Sequence, residues 1–383
     1  MKRLIVGIDA SRNRSGGAIA HLRGILEEFL PERHGIHEIH IWSYEKLLNM
    51  IPDKPWLVKH SPTALSKTLG GQLLWQAFSL SKECKKIKCD ILFTTDASTL
   101  SRFKPMVVLS QDMLSYEPGV MSNFGFISKA RLRLWIILYL QNMAFRRSSG
   151  VIFLTNYASK VIQNSSGLLK NTTVVNHGVD DNFRTFMKNR IISFNQEKII
   201  KCLYISNTAM YKHQWNVIRA IAILRQQGVS ITLTLIGGGY GRAQELLQKE
   251  IRKSDPRSEF VRQLPFVPQH ELPVYLAESD IFVFASSCEN MPVTLIEAMV
   301  SGLPIACSDR GPMPEILRDG GLYFDPENPD SIALAIKNIV DDESLAKELA
   351  CKANKYGSEY FWKRCSTETF SFITDTFERF DFD

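Results

Sequence analysis

Long apolar runs are missing from this chain. The longest uninterrupted one is Leu134 to Leu140, far short of the roughly 20 residues that cross a bilayer, so no membrane span is expected. Met1-Lys2-Arg3 leads into only a short apolar stretch, so no secretory signal is expected either. No Cys-x-x-Cys pair occurs among the seven cysteines, and no His and Cys spacing suggests zinc. An odd count, with several cysteines in apolar runs, reads as reduced core thiols in a cytosolic protein. Without a signal, the sequons at Asn164 and Asn171 are read as chance matches. Tandem repeats and low-complexity tracts are absent.

What is there describes an ordinary globular chain. At 383 residues, with 45% apolar and 22% charged residues, it is long enough for two domains. The net charge of +6 conceals an asymmetry. Residues 1–190 hold 26 Lys and Arg against 14 Asp and Glu, while the remainder hold 20 against 26. That split argues against a uniform nucleic-acid surface. It fits a first domain facing an anionic partner such as a membrane or a phosphorylated lipid, and equally fits solvated charge with no partner.

Strand and helix patterns alternate in both halves. Leu4–Ile8 reads as a strand, followed by Ser11-Arg12-Asn13-Arg14-Ser15-Gly16-Gly17 and a helix from about Ala18 to Phe29, the opening of a Rossmann-like unit. Further strands are expected at Ile39–Trp42, Ile91–Thr94, Val107–Ser110, Val151–Thr155 and Thr173–Val175. Polar residues 181–197 mark the domain crossing. Beyond it, Lys201–Ile205 and Ile231–Ile236 are strands, and Gln214–Gln227 and Arg242–Arg252 are helices. The tail after Pro329 is mostly helical. The expected architecture is α/β, with two parallel sheets covered by helices.

The most informative segment is Ser287-Cys-Glu289-Asn-Met-Pro292-Val-Thr-Leu-Ile-Glu297-Ala-Met299. Ile281–Ala285 reads as a buried strand. Pro292 suits the first turn of a helix, and Gly302 and Pro304 mark its end. Glu289 then lies on a loop at a strand's carboxyl end, and Glu297 inside the helix. The helix N-terminus between them is an anion site, with unpartnered amides and a positive dipole end. A carboxylate on each side suits a sugar nucleotide: the amides hold the diphosphate and the acids accept from sugar and ribose hydroxyls.

This segment resembles the Glu, seven residues, Glu signature of family four of the retaining glycosyltransferases, continued by Ser301-Gly302-Leu303-Pro304. Gly311-Pro312-Met313-Pro314-Glu315-Ile316 is similar to the family's Gly-Gly-x-x-Glu loop. The resemblance implies the GT-B fold, two Rossmann-like domains facing across a cleft. An acceptor-binding domain would span residues 1–190 and a nucleotide-sugar-binding domain 191–360, with a C-terminal helix, 361–383, crossing back to the first.

Other motifs join this frame. Gly16-Gly17 can form an amide nest for a diphosphate, and His21 matches a frequent family histidine. Ser206-Asn207-Thr208-Ala209-Met210-Tyr211-Lys212 resembles the family's Gly-Arg-x-x-x-x-Lys motif. Lys212 matches, but Asn207 replaces the arginine and removes a cation, which Arg12 or Arg14 would have to supply. Gly237-Gly238-Gly239-Tyr240-Gly241-Arg242 fails as a dinucleotide fingerprint and reads as a tight turn near the nucleotide. His177-Gly178-Val179-Asp180 reads as structural. Asp112, after Gln111, stands where relatives carry His-Asp, so acceptor binding and a satisfied loop aspartate are both open. Residues 129–147 are apolar nearly all round between basic clusters. Burial on the first sheet is the favoured reading, with a membrane-interface helix as the alternative. Asp381-Phe382-Asp383 resembles a metal-binding Asp-x-Asp but reads as a terminal tail.

The resemblance implies a retaining hexosyltransferase. It would use a UDP or GDP sugar and a saccharide or lipid-linked acceptor, in cell-surface polysaccharide assembly. The catalytic residues would be Glu289, Lys212 and Asp112. The donor would be held by Gly16, Gly17, Asn207, Lys212, Met291, Val293, Thr294 and Glu297. No metal or cofactor is expected, and no nucleic-acid partner. A cytoplasmic location is expected, with peripheral membrane contact through the basic first domain. The rival readings are a nucleotide-sugar epimerase or phosphorylase, or a non-catalytic glycan-binding relative.

Overall fold

Short runs of buried aliphatic and aromatic residues form the strands of a computed structural model, which describes residues 3–14, 16–66, 68–123, 125, 128–185, 192–194 and 198–382. The chain divides into two units, residues 1–178 with 361–383, and residues 179–360. The expected crossing at 181–197 lies partly outside the described residues.

The first unit holds β1 (Leu4–Asp9), β2 (Ile36–Trp42), β3 (Leu57–His60), β4 (Ile91–Thr94), β5 (Met106–Leu109), β6 (Gly150–Phe153) and β7 (Thr172–Val174). Their order is β3-β2-β1-β4-β5-β6-β7, and every pairing is parallel. The central strands β4, β5 and β6 are buried along their whole length, as expected where helices cover both faces. The helix Trp362–Phe382 belongs to this unit. Ser366 Oγ donates to the Ile25 carbonyl at 2.7 Å, and the Phe370 ring lies 4.1 Å from that of Phe29.

The second unit holds β8 (Ile200–Ile205), β9 (Ile231–Ile236), β10 (Val261–Leu264), β11 (Ile281–Phe284), β12 (Ile305–Ser308) and β13 (Leu322–Phe324). The order is β10-β9-β8-β11-β12-β13, again all parallel. Chain order reverses between the neighbours β8 and β11. Loops leaving the carboxyl ends of strands at such a switch point are where α/β sheets bind ligands.

The helix Lys129–Arg147 corrects the favoured reading of burial. It buries Leu134, Gln141, Ala144 and Phe145, but Leu132, Trp135, Ile136 and Tyr139 stand 62%, 52%, 51% and 69% exposed. One helical face covers the sheet and the opposite face is left open. A sequence that is apolar all round cannot show which face that is. Among the described residues, no helix is long and apolar enough to cross a membrane.

Candidate functional site

Lys212 and Glu289 come from the two loops at the switch point. Lys212 ends a short turn, Met210–Lys212, after β8, and Glu289 lies beyond β11. The loops are stapled together. Ser287 N donates to the Tyr211 carbonyl at 2.8 Å, and His213 Nε2 lies 2.9 Å from Ser287 Oγ. Below them, Tyr204 Oη donates to the Lys212 carbonyl at 2.8 Å. Lys212 Nζ is ion-paired to Glu289 Oε1, with side chains only 9% and 16% exposed. The ammonium also sits 5.3 Å from the Tyr211 ring centre and 5.6 Å from that of Phe284, within cation–π range of both.

The helix Val293–Val300 begins directly after Met291 and Pro292. Pro292 is its N-cap residue rather than a first-turn residue, and its carbonyl accepts from Leu295 and Ile296 at 3.1 and 3.2 Å. The Val293 and Thr294 amides lie in the first turn, where no earlier helical carbonyl can reach them. Glu297 stands one turn on, 1% exposed. Gln269 Nε2 donates to its Oε1 at 2.7 Å, whereas Oε2 is buried with no hydrogen-bond partner among the described residues. Burial raises this carboxyl from the ordinary value to about 8; the Gln269 bond opposes the rise and the charge of Asp180 adds to it. Gly311 adopts a left-handed φ of 58°, and a Cβ there would sit 3.9 Å from the Glu289 amide, which places that loop beside the acid.

The glycine run packs on the lysine's loop. A Cβ at Gly237, where φ is +114°, would fall 2.3 Å from the Ser206 carbonyl oxygen, and one at Gly239 would fall 2.6 Å from that of Thr208. Thr208 N donates to the Gly238 carbonyl at 3.1 Å, while its buried Oγ1 has no partner among the described residues. Beside this turn a recess of about 290 Å³ is lined by Gly238, Gly239, Gln244, Gln263, Leu264 and Pro265. Asn207 is exposed.

In the first unit, Gly16 and Gly17 open the helix Gly16–Glu27 instead of preceding it. Both are exposed, and a Cβ on either would meet no atom within 4 Å. Packing therefore does not require glycine at these positions. Arg12 pairs with Asp96 at 3.1 Å, and the Arg14 guanidinium lies 3.4 Å from the Tyr44 ring centre. Both are held by partners within the first unit. Asp112 follows β5, with Oδ1 accepting from Leu114 N at 2.9 Å and its carboxyl raised by burial. This is the satisfied loop geometry, with the Gln141 side chain as a further hydrogen-bond partner.

His21 is buried, with Nδ1 2.7 Å from His177 Nδ1. Cys365 completes a group whose ligand atoms lie within 4.8 Å. Burial pushes His177 down to about 4 and Cys365 up to about 12, so the ring contact is a hydrogen bond between neutral imidazoles beside a thiol. Asp383 of the terminal Asp-x-Asp lies outside the described residues.

Sequence reasoning missed Gln269, Thr208 and the nearness of Asp180 to Glu297. Gln269 is separated from Glu297 by 28 positions, and no local pattern joins them.

Residues 186–356 match the family model described as Glycosyl transferases group 1. The chain is 27% identical over 167 residues to O-antigen chain mannosyltransferase B of Escherichia coli. That match spans 44% of each protein, less than half the length of the curated relative. Over the whole chain the fold resembles sucrose-phosphate synthase from Thermosynechococcus elongatus, with a TM-score of 0.76 at 16% identity over 99% of both chains. It also resembles Anabaena Alr3699/HepE, solved with UDP and glucose. There the TM-score is 0.70 at 19% identity, over 95% of this chain and 97% of that one. The chain thus consists of two Rossmann-like α/β units of the kind found in GT-B glycosyltransferases. Its second unit carries sequence similar to glycosyl transferases group 1.

Proposed function

We propose that this chain is a retaining glycosyltransferase of family four. It would move a hexose from a UDP or GDP sugar to a saccharide or lipid-linked saccharide, in cell-surface polysaccharide assembly at the cytoplasmic face of a membrane. The observation that carries the reading is the Lys212–Glu289 pair at the switch point, followed in the chain by the helix Val293–Val300 with its buried Glu297 and an unpartnered oxygen.

Departure of a nucleoside diphosphate builds negative charge on phosphate oxygens. Lys212 and the Val293 and Thr294 amides are already in place to meet it, and preorganised donors of this kind are worth most during reaction. Gly16 and Gly17 are proposed as a second set of amides for the diphosphate, and their open surroundings suit close approach by a ligand. The diphosphate would draw Lys212 from Glu289 and free that carboxylate to orient the donor sugar. Glu297 Oε2 would hydrogen-bond a ribose hydroxyl, as donor while the carboxyl holds its proton and as acceptor once it ionises. Met291 and Asn207 border the same loops, and Asp112 is proposed to contact the acceptor. The sum of cation and amides supplies the stabilisation that a divalent ion gives elsewhere, so transfer is expected to persist in chelator.

The test is a thermal-shift screen across UDP-, GDP-, ADP- and TDP-sugars, followed by transfer assays. A bound donor raises the melting temperature by mass action. Loss of the shift in Glu297→Ala and loss of turnover in Glu289→Ala support the reading, and full transfer by both variants contradicts it. Asn207, exposed and uncharged, favours one rival, a non-catalytic glycan-binding relative. Donor binding without transfer or hydrolysis would decide for that rival.

A further inference from the structure

The outer face of the helix Lys129–Arg147 has no partner among the described residues. Ser128 caps its start by accepting from Arg131 N at 3.1 Å. Leu132, Trp135, Ile136 and Tyr139 follow at spacings of three and four, which puts them on one stripe, and each is more than half exposed. Leu134, Gln141, Ala144 and Phe145 anchor the opposite face. Lys129 and Arg133 are exposed beside the stripe. Farther along, a groove of about 590 Å³ continues it, lined by Trp135, Tyr139, Met143 and Arg146 with Ser165.

Charge identifies the occupant. The 62 residues between Glu117 and Asp180 hold seven Lys and Arg and no Asp or Glu. A protein partner buried on so large an apolar stripe would need an acidic rim of its own. An anionic bilayer supplies both requirements at once: apolar depth for Leu132 and Ile136, a headgroup zone for the amphipathic rings of Trp135 and Tyr139, and phosphates for the cations.

We infer that this helix docks the chain on an anionic lipid surface, lying in the interface with Trp135 and Tyr139 inserted at headgroup depth. The inference concerns the first unit alone and stands whether or not the donor reading of the second is right. Insertion is shallow and reversible, because four apolar side chains and a few cations provide far less than a spanning helix.

The test is co-sedimentation of the full chain with vesicles of phosphatidylcholine alone and of phosphatidylcholine mixed with phosphatidylglycerol. The chain is expected to bind only the anionic vesicles and to release at high salt. Trp135→Ser/Tyr139→Ser is expected to bind at least about tenfold more weakly, and Arg133→Glu to do likewise by reversing one charge. Both variants should keep the parent melting temperature, since the altered side chains face outward. Equal binding by the variants overturns the inference, as do equal binding to neutral vesicles and no binding at all. Concentration-dependent self-association that the double variant abolishes also overturns it, because the stripe would then be covered by a second copy.

Discussion

Gln269 Nε2 lies 2.7 Å from Glu297 Oε1 and leaves Oε2 buried and unpartnered. One amide therefore orients a carboxyl whose second oxygen is held ready for a ligand. Removing that bond as Gln269→Leu is expected to raise the Glu297 pKa further and to weaken donor binding by up to about tenfold, the scale of one hydrogen bond. Gln269→Asn should restore part of the loss. The check is donor affinity against pH. A packing role alone would leave the pH midpoint where it is, whereas the positioning role moves it upward.

Glu297 also makes stability depend on pH. Its carboxyl is raised from 4.5 to about 8 in the folded chain. The folded state therefore holds the proton over a window in which the unfolded state has lost it. This contribution is fully present below about 4.5 and is lost as pH rises through about 8, because stability falls wherever the folded state binds more protons. At about 1.4 kcal/mol per unit, the change is on the order of a few kcal/mol. Glu297→Gln should flatten the fall in denaturation midpoint between pH 5 and 8. An unchanged slope would show that another group is responsible.

The Lys212–Glu289 pair separates stability from function. Lys212→Met leaves a poorly exposed carboxylate without its cation, a change that costs roughly 3 kcal/mol or more where a pair is buried. Lys212→Met/Glu289→Leu removes both charges and should recover most of that stability, while transfer stays reduced by about 10²- to 10³-fold, the scale of a lost preorganised donor. Urea denaturation and turnover measured on the same proteins distinguish the two effects. Parallel recovery of both would mean that the pair is structural.

The glycines divide in the same way. Gly239→Ala drives a Cβ to 2.6 Å from the Thr208 carbonyl oxygen, so it should lower the melting temperature and disturb the Lys212 loop. Gly17→Ala meets open space inside a helix, where alanine is favoured by up to about 1 kcal/mol. It should keep or raise stability and still weaken donor binding. A stabilised Gly17→Ala with unchanged donor affinity would remove the first-unit amides from the account.

Much of this was legible in the sequence, for physical reasons. Central strands such as β8 and β11 are buried over most or all of their length, so Cys202–Ile205 and Ile281–Ala285 appear as continuous apolar runs. The acids of the Glu289–Glu297 segment are local in sequence, and so is the helix start between them. β3, β10 and β13 were not read because they are edge strands: Leu57-Val58-Lys59-His60 and Val261-Arg262-Gln263-Leu264 carry charge and amide where the interior strands β5, β6 and β11 carry only apolar residues. The outward stripe at Leu132–Tyr139 was hidden because both faces of that helix are apolar, so periodicity cannot separate them. Gln269 was hidden because its partner is reached only through the fold.

Calorimetric titration of the donor sugar nucleotide, run beside turnover for Glu297→Ala and Glu289→Ala, tests the central claim most directly. The account expects Glu297→Ala to lose donor affinity and Glu289→Ala to retain most affinity but lose turnover. Unaltered affinity and turnover in both would show that the acids and the helix start between them do not form the donor site.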